Sequence, residues 1–430
     1  MRILVVGNGG REHALTQKLL ESPTVERVFC TPGNGGTAVL KKAENIAMAV
    51  DDFESILSLI KENFIDLVVV GPELPLSLGI TDYLQEHNVK VFGPTKAGAT
   101  IEASKSWAKA LMKDAFIPTA EAETFQNLTL AQNYIKEKGA PIVIKADGLA
   151  AGKGVVVAMS EAEALEAVEE LFAQNFSTVV IEEFLTGQEV SVLALCDGQT
   201  VIPLIPAQDH KQIGEGDKGA NTGGMGAYAP TPLVNQDLLE RITREILEPT
   251  LKALQGRGID YRGVLYAGLM ITPEGAPKTL EFNCRFGDPE TQAVLPMLKT
   301  PLADVLLACA EQRLADFPPL EWHDGYAVCV VASSAGYPGS YDKGKVIFGI
   351  DTAQGRGALV FHAGTKLNSQ GDLLTDGGRV LGVTSRGNDL ATAINFAYDA
   401  IQYIDFEGIY YRRDIGHRVL KGQRNVEFRM

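Results

Sequence analysis

Residues 145–154 read KADGLAAGKG, a glycine-rich stretch set between two short apolar runs, APIVIK (140–145) and GVVVAM (154–159). Runs of this length, rich in Val and Ile and bounded by turn residues, predict strands. The stretch is not a Walker A loop. That loop needs four residues between its glycines, a Ser or Thr after its lysine, and a helix to open. Here three residues separate Gly148 from Gly152, Gly154 follows Lys153, and a strand comes next. The residues predict a hairpin whose glycine-rich tip carries Lys153, with Lys145 at the end of the preceding strand. Two ammonium groups and a string of backbone N–H groups suit a triphosphate, over which such a tip can close.

Toward the N-terminus the pattern changes. Up to about residue 100, the apolar runs ILVV (3–6), ERVFC, DLVVVG and KVFG alternate with helical spacing from Arg11 to Glu21. A second helix, opened by an Asp51–Glu54 capping box, is predicted through Ile60. Strands alternating with helices imply a parallel, doubly wound α/β unit. ILVV runs into GNGGRE (7–12), where glycines would let a phosphate approach the N–H groups of a helix start. NAD is disfavoured, because Glu12 stands where the third glycine of GxGxxG belongs and ERVFC ends without a ribose-binding acid. Ala99 to Ala115 predicts one helix, stopped by Pro118.

Toward the C-terminus a helix is predicted from about Ser160 to Phe172, followed by strands VVIEEF (179–184) and EVSVLAL (189–195). A strand end beside a nucleotide can offer backbone groups to an adenine edge, and Glu189 a carboxylate to ribose hydroxyls. Gln208 to Tyr228 is polar and dense in glycine, and reads as a long functional loop. VLYAGLMIT and KTLEFNCRF predict two strands joined by a turn at Pro273–Gly275. In LEFNCRFGDPETQ (280–292), alternation puts Glu281, Asn283 and Arg285 on one face, and Leu280 and Phe282 in the core. A carboxylate and an amide oxygen together suit a hard divalent cation, Mg2+ or Mn2+. Arg285 beside them could grip a phosphate or carboxylate in a forked geometry. After about Gly325, strands YAVCVVA, KVIFGI, ALVFHAG and RVLGVTS, with one helix near 389–402, predict a separate small domain.

The totals agree with this layout. At about 150 residues per domain, 430 residues predict about three domains. Lys plus Arg number 39 against 54 Asp plus Glu, a net charge of −15. That balance argues against non-specific binding to nucleic acid or anionic membrane. Five cysteines without a CxxC pair fit a reducing compartment rather than a disulfide framework or structural zinc, and Cys284 reads as packing. The first apolar run is too short for a signal peptide, and none approaches the ~20 residues of a membrane span. A cytoplasmic enzyme is expected. The 44 glycines are in excess of the usual ~7% of a chain.

KADGLAAGKG, EEFLTGQE and LEFN, in this order and spacing, resemble the ATP-grasp fold. More closely, GNGGREHAL, IVIKADGLAAGKGV, NTGGMGAY and EFNCRFGDPETQ resemble the glycinamide ribonucleotide synthetase family, the phosphoribosylamine–glycine ligases of purine synthesis. The resemblance covers essentially the whole chain. KGAN (218–221) stands where the family more usually has TGPN.

The fold so implied is α/β and α+β multidomain. It comprises an N-terminal doubly wound parallel sheet (1–103), a central ATP-grasp core (104–320) with a small lid at about 120–190, and a strand-rich C-terminal domain (325–430). The implied reaction joins glycine to 5-phosphoribosylamine through glycyl phosphate, giving glycinamide ribonucleotide, ADP and phosphate. Residue by residue, the resemblance assigns Lys105, Lys145, Gly152, Lys153 and Gly154 to the ATP phosphates. It assigns Glu182, Phe184 and Leu185 to adenine, largely through backbone groups, and Glu189 to the ribose. Glu281 and Asn283 become ligands for Mg2+ or Mn2+, and Arg285, with Lys145, takes the catalytic role at the acyl phosphate. Asp209, Lys211 and Asn221 are placed in the substrate cavity, with Gly9, Gly10 and Glu73 at the phosphoribosylamine. Small molecules are the only partners implied. A carboxylase of the same fold, a dinucleotide dehydrogenase and a non-enzymatic nucleotide-binding module are the alternatives. RFGDPETQ, the absent third glycine, and the joint presence of Lys145, Glu281 and Asn283 argue against them in turn.

Overall fold

ILVV is buried on both faces and forms the centre of a five-stranded parallel sheet. The order across this sheet is Ala43–Asn45, Arg27–Pro32, Arg2–Gly7, Leu67–Val70, Val91–Phe92. In the computed structural model, which describes residues 1–148 and 154–420, helices cover both faces of this sheet, as an all-parallel sheet requires. The chain winds outward from Arg2–Gly7 in both directions. The topological switch therefore falls between Arg2–Gly7 and Leu67–Val70, where ligands of open α/β sheets bind. The loops leaving those two strands carry GNGG and Glu73.

Two local expectations are corrected here. The helix Phe53–Asn63 is capped by Asp52, whose carboxylate accepts from Ser55 N–H at 3.2 Å, one residue later than the Asp51 box. The single helix expected from Ala99 to Ala115 is two, Lys96–Ala103 and Lys105–Asp114. Ser104 between them is extended, and its hydroxyl caps the second helix by accepting from Trp107 N–H. Apolar spacing runs on through the break, which hides it.

Two antiparallel sheets of four strands follow. In the first, the order is Ala122–Phe125, Val179–Glu183, Ile142–Ala146, Val155–Ala158, with helices Leu128–Lys138 and Glu161–Ala173 packed on it. Ile142–Ala146 and Val155–Ala158 pair as the predicted hairpin. In the second, Val201–Pro203, Gln188–Asp197, Arg262–Ile271 and Pro277–Asn283 lie side by side. A parallel bridge ties Thr119, in the connection leading to the first sheet, to Thr279 of the second.

The polar segment 208–228 is not structureless. Gln208–Asp209 and Gly226–Ala229 join a C-terminal antiparallel sheet with Tyr326–Ser333, Arg379–Gly387 and Leu359–His362. Gln212–Gly214 and Lys218–Asn221 form a hairpin between them. Tyr228, fully buried, donates its phenol proton to Gln208. KVIFGI is not a strand of that sheet. It makes only isolated bridges at Val346 and Phe348, and Phe348 is largely exposed. The helix Leu390–Ile401 closes the outer face, its stripe of Leu390, Ala393, Ile394, Ala397 and Ile401 buried against the sheet.

Candidate active site

Strand Pro277–Asn283 carries Glu281 opposite Gly268, where a Cβ would come within 3.2 Å of the Glu281 side chain. A bulge beside this pair takes Leu280 out of alternation, so Leu280 is only partly buried while Phe282 enters the core. Burial alone would raise the Glu281 pKa. The charges of Lys211, Lys145, Lys105 and Arg285 outweigh it and hold the carboxyl below its usual range. Asn283 Oδ1 accepts from Arg285 at 3.3 Å. Both are hard oxygen donors, one of them ionised, and the set fits Mg2+ or Mn2+.

Lys145 spans the two antiparallel sheets. Its ammonium donates to Glu182 Oε2 at 2.9 Å and to the Leu280 carbonyl at 3.1 Å. Lys109, which the sequence did not single out, lies 3.1 Å from the same Glu182 oxygen and donates to Thr119 Oγ1 at 2.8 Å. The strand bearing Glu182 is paired on both sides, and the buried carboxylate is what faces these lysines. Glu182 Oε1 is buried without a hydrogen-bond partner. Lys105 donates to the Gly148 carbonyl at 2.9 Å, and burial lowers its pKa. Asp147 accepts from Ser104 Oγ and Ser106 N–H, both at 3.2 Å, tying the hairpin to the helix start. The Gly154 carbonyl closes the hairpin on Ala146 N–H at 2.7 Å. Gly152 and Lys153 lie outside the described residues.

Arg285 pairs with Glu102 at 2.9 Å and Glu73 at 3.4 Å. Glu102 was invisible to motif reading. It is an ordinary helix residue until the fold brings it, buried, against Arg285 and the Cys284 N–H, which it accepts at 2.8 Å. Burial pushes its pKa up. Glu73 is shielded too, but Arg285 and Arg11 hold its carboxyl below the usual range. At the GNGG loop, Glu12 accepts from Gly9 N–H at 2.6 Å and Asp288 from Arg11 N–H at 3.4 Å. Two carboxylates therefore already complement part of the helix N-terminus where a phosphate was expected. A Cβ on Gly10 would lie 2.5 Å from Gln292 Nε2. From the C-terminal sheet, Arg379 pairs with Asp288 at 3.3 Å and donates to the carbonyls of Asp288 at 2.7 Å and Gly223 at 2.6 Å.

Glu189 and Lys211 meet at 2.8 Å. Asp209 is buried, and that burial, with Glu290 and Glu189 nearby, pushes its carboxyl up to about 7 against the pull of Lys211 and Arg418. Leu185 is buried and Phe184 half-buried. Asn221 stands apart, exposed on its hairpin.

Three sequence profiles of the phosphoribosylglycinamide synthetase family tile the chain. They are the N domain over residues 1–102, the ATP-grasp (A) domain over 103–291 and the C domain over 327–418. The chain belongs to the phosphoribosylglycinamide synthetase family. It is 61% identical over 420 residues to a phosphoribosylamine–glycine ligase of Synechocystis sp., covering 98% of this chain and 100% of that relative. The crystal structure of the phosphoribosylamine–glycine ligase of Thermotoga maritima superposes with a TM-score of 0.84 at 35% identity, over 96% of this chain and 100% of that one. A biotin carboxylase from Campylobacter jejuni shares the fold, at TM-score 0.72 and 16% identity over 95% of this chain and 92% of its own. As a phosphoribosylglycinamide synthetase, the chain is an ATP-dependent ligase that joins glycine to phosphoribosylamine in purine synthesis.

Proposed function

We propose that this ligation runs through glycyl phosphate in the cleft between Lys145 and Glu281. A carboxylate is a poor electrophile, so glycine must first accept a phosphoryl group. The amine of phosphoribosylamine then attacks the acyl carbon, and phosphate leaves through a tetrahedral intermediate. In such transfers the protein mainly positions groups and neutralises charge. Lys145, bonded at once to Glu182 and to the Leu280 carbonyl next to Glu281, is the observation that carries this reading.

Lys105, Lys145 and the tip Gly152–Lys153–Gly154 take the triphosphate. Glu182, Phe184 and Leu185 take adenine, and the unpartnered Glu182 Oε1 is an acceptor suited to an exocyclic amine. Glu189 takes the ribose. Asp209 and Lys211 border the glycine cavity, Asn221 lying outside it on its exposed hairpin, while Gly9, Gly10 and Glu73 border phosphoribosylamine. Arg285, steadied by Glu102, meets the negative charge that develops on the acyl oxygen. Glu281 and Asn283 would hold Mg2+ or Mn2+, which supplies charge neutralisation at the phosphate oxygens. In this scheme residues 1–103, 104–320 and 325–430 act as substrate, ATP-grasp and C-terminal domains. The reaction fits the cytoplasm, in keeping with five buried free cysteines. No helix among the described residues is long and apolar enough to cross a membrane.

The test is phosphate release from ATP, followed with and without each substrate. Release is expected only when glycine and phosphoribosylamine are both present. Equal turnover without either one would overturn the assignment.

A further inference from the structure

Lys211 is held in place from the far end of the chain. Arg418 donates to the Asp209 carbonyl at 3.0 Å, and Gly416 N–H to His210 Nε2 at 3.0 Å. Arg412 donates to the Gln212 carbonyl at 3.0 Å, and the Tyr410 hydroxyl to the Ile213 carbonyl at 2.8 Å. Residues on both sides of Lys211 are therefore gripped by one short segment, 410–418. The carbonyl of Lys211 itself is fixed by Thr222, at 2.8 Å from N–H and 2.7 Å from the hydroxyl.

The centre of this grip is Asp217, which pairs with Arg412 and Arg418, each at 3.0 Å. Arg412 is fully buried and also holds Asp414 at 2.8 Å. Asp414 in turn accepts from Gly216 N–H at 2.8 Å. His210, Asp217 and His417 bring their ligand atoms within 4.8 Å of one another, which raises the question of a metal. The hydrogen bonds answer it. His210 Nε2 is an acceptor for Gly416, so in the neutral ring Nδ1 carries the proton and points it at Asp217. Two guanidinium groups already neutralise that carboxylate. The cluster is a clamp, and its cations are arginines.

We propose that segment 410–418 is a positioning element for catalysis, in which Arg412, Arg418 and Asp217 set the Lys211 ammonium against Glu189. The proposal rests on the reading of Lys211 as part of the substrate cavity. Lys211 has a flexible stem, and its ammonium holds Glu189 at 2.8 Å only if the backbone of 209–213 is fixed. The clamp supplies that fixity without touching substrate.

A double-mutant cycle on steady-state ligation tests it. Arg418→Met is expected to lower kcat by on the order of tenfold with a smaller change in KM for ATP, and Arg418→Lys to recover part of the loss. Lys211→Met should be slower still, and the double variant no slower than Lys211→Met alone. Arg356→Met, on the exposed surface of the C-terminal domain, serves as the control at wild-type rate. Losses that multiply in the double variant, or wild-type kcat in Arg418→Met, would overturn the proposal. Wild-type kcat in Lys211→Met would instead remove Lys211 from the site and the proposal with it, leaving the two-substrate requirement for phosphate release as a separate result. If Arg418→Met does not fold, Asp217→Asn enters the same cycle with the same expected outcomes.

Discussion

Asp209 shows how much a single residue in this cleft depends on its surroundings. Its folded pKa of about 7 lies well above the ~3.9 of a solvated aspartate. A raised folded pKa means that the group favours the folded state fully below the unfolded value, and that this contribution is lost as pH rises through about 7. Asp209→Asn should therefore gain on the wild type in urea denaturation as pH climbs from 4 to 7, by at most about 1.4 kcal/mol per unit, with the gap level above that. A gap that stays flat across the range would mean that Asp209 is ionised throughout. At this scale the motif residues were readable because their chemistry is packed into short strings. Glu281, Asn283 and Arg285 lie within five positions, and Lys145 begins the glycine stretch. Glu102, Lys109 and Arg379 were not readable. Each is a single charged residue with no local pattern, and each acquires meaning only from a partner over seventy positions away.

Among the elements, the break at Ser104 matters more than its one residue suggests. By ending one helix and starting another, it places Lys105 at a helix start facing Gly148. The same hydroxyl that caps the helix donates to Asp147. Ser104→Ala should cost about 1 kcal/mol of stability, the usual value of a lost cap, and raise KM for ATP more than it lowers kcat. Thermal unfolding and steady-state kinetics check the two parts. The parallel sheet and the hairpin were legible as elements, since apolar runs of four to six residues bounded by glycine admit few other structures. The strands in 208–229 were not. They are two to four residues long, and Gly226–Ala229, on which Gln208–Asp209 pairs, is itself held by a partner strand about a hundred residues later.

Across the whole molecule, the C-terminal sheet completes the cleft rather than sitting beside it. Arg379 joins Asp288 to the glycine loop at 223–224. Arg379→Met would leave the half-buried Asp288 without its guanidinium, at a cost below the ~3–5 kcal/mol of breaking a fully buried pair. The expected result is a matching drop in urea-denaturation free energy together with reduced ligation. Unchanged stability would show that solvent or Arg11 compensates. This arrangement also sets the order in which a newly made chain becomes competent. A ribosome that has finished residue 320 has already produced the lysines, glutamates and Arg285 of the cleft, yet Gly226–Ala229 still lacks Tyr326–Ser333, and Asp209 to Ile213 still lack 410–418. Because chains emerge N-terminus first, the substrate loop is secured only after residues 410–418 have been made. A translation product abandoned before that point therefore carries the residues proposed to bind nucleotide without the segment that fixes the substrate loop.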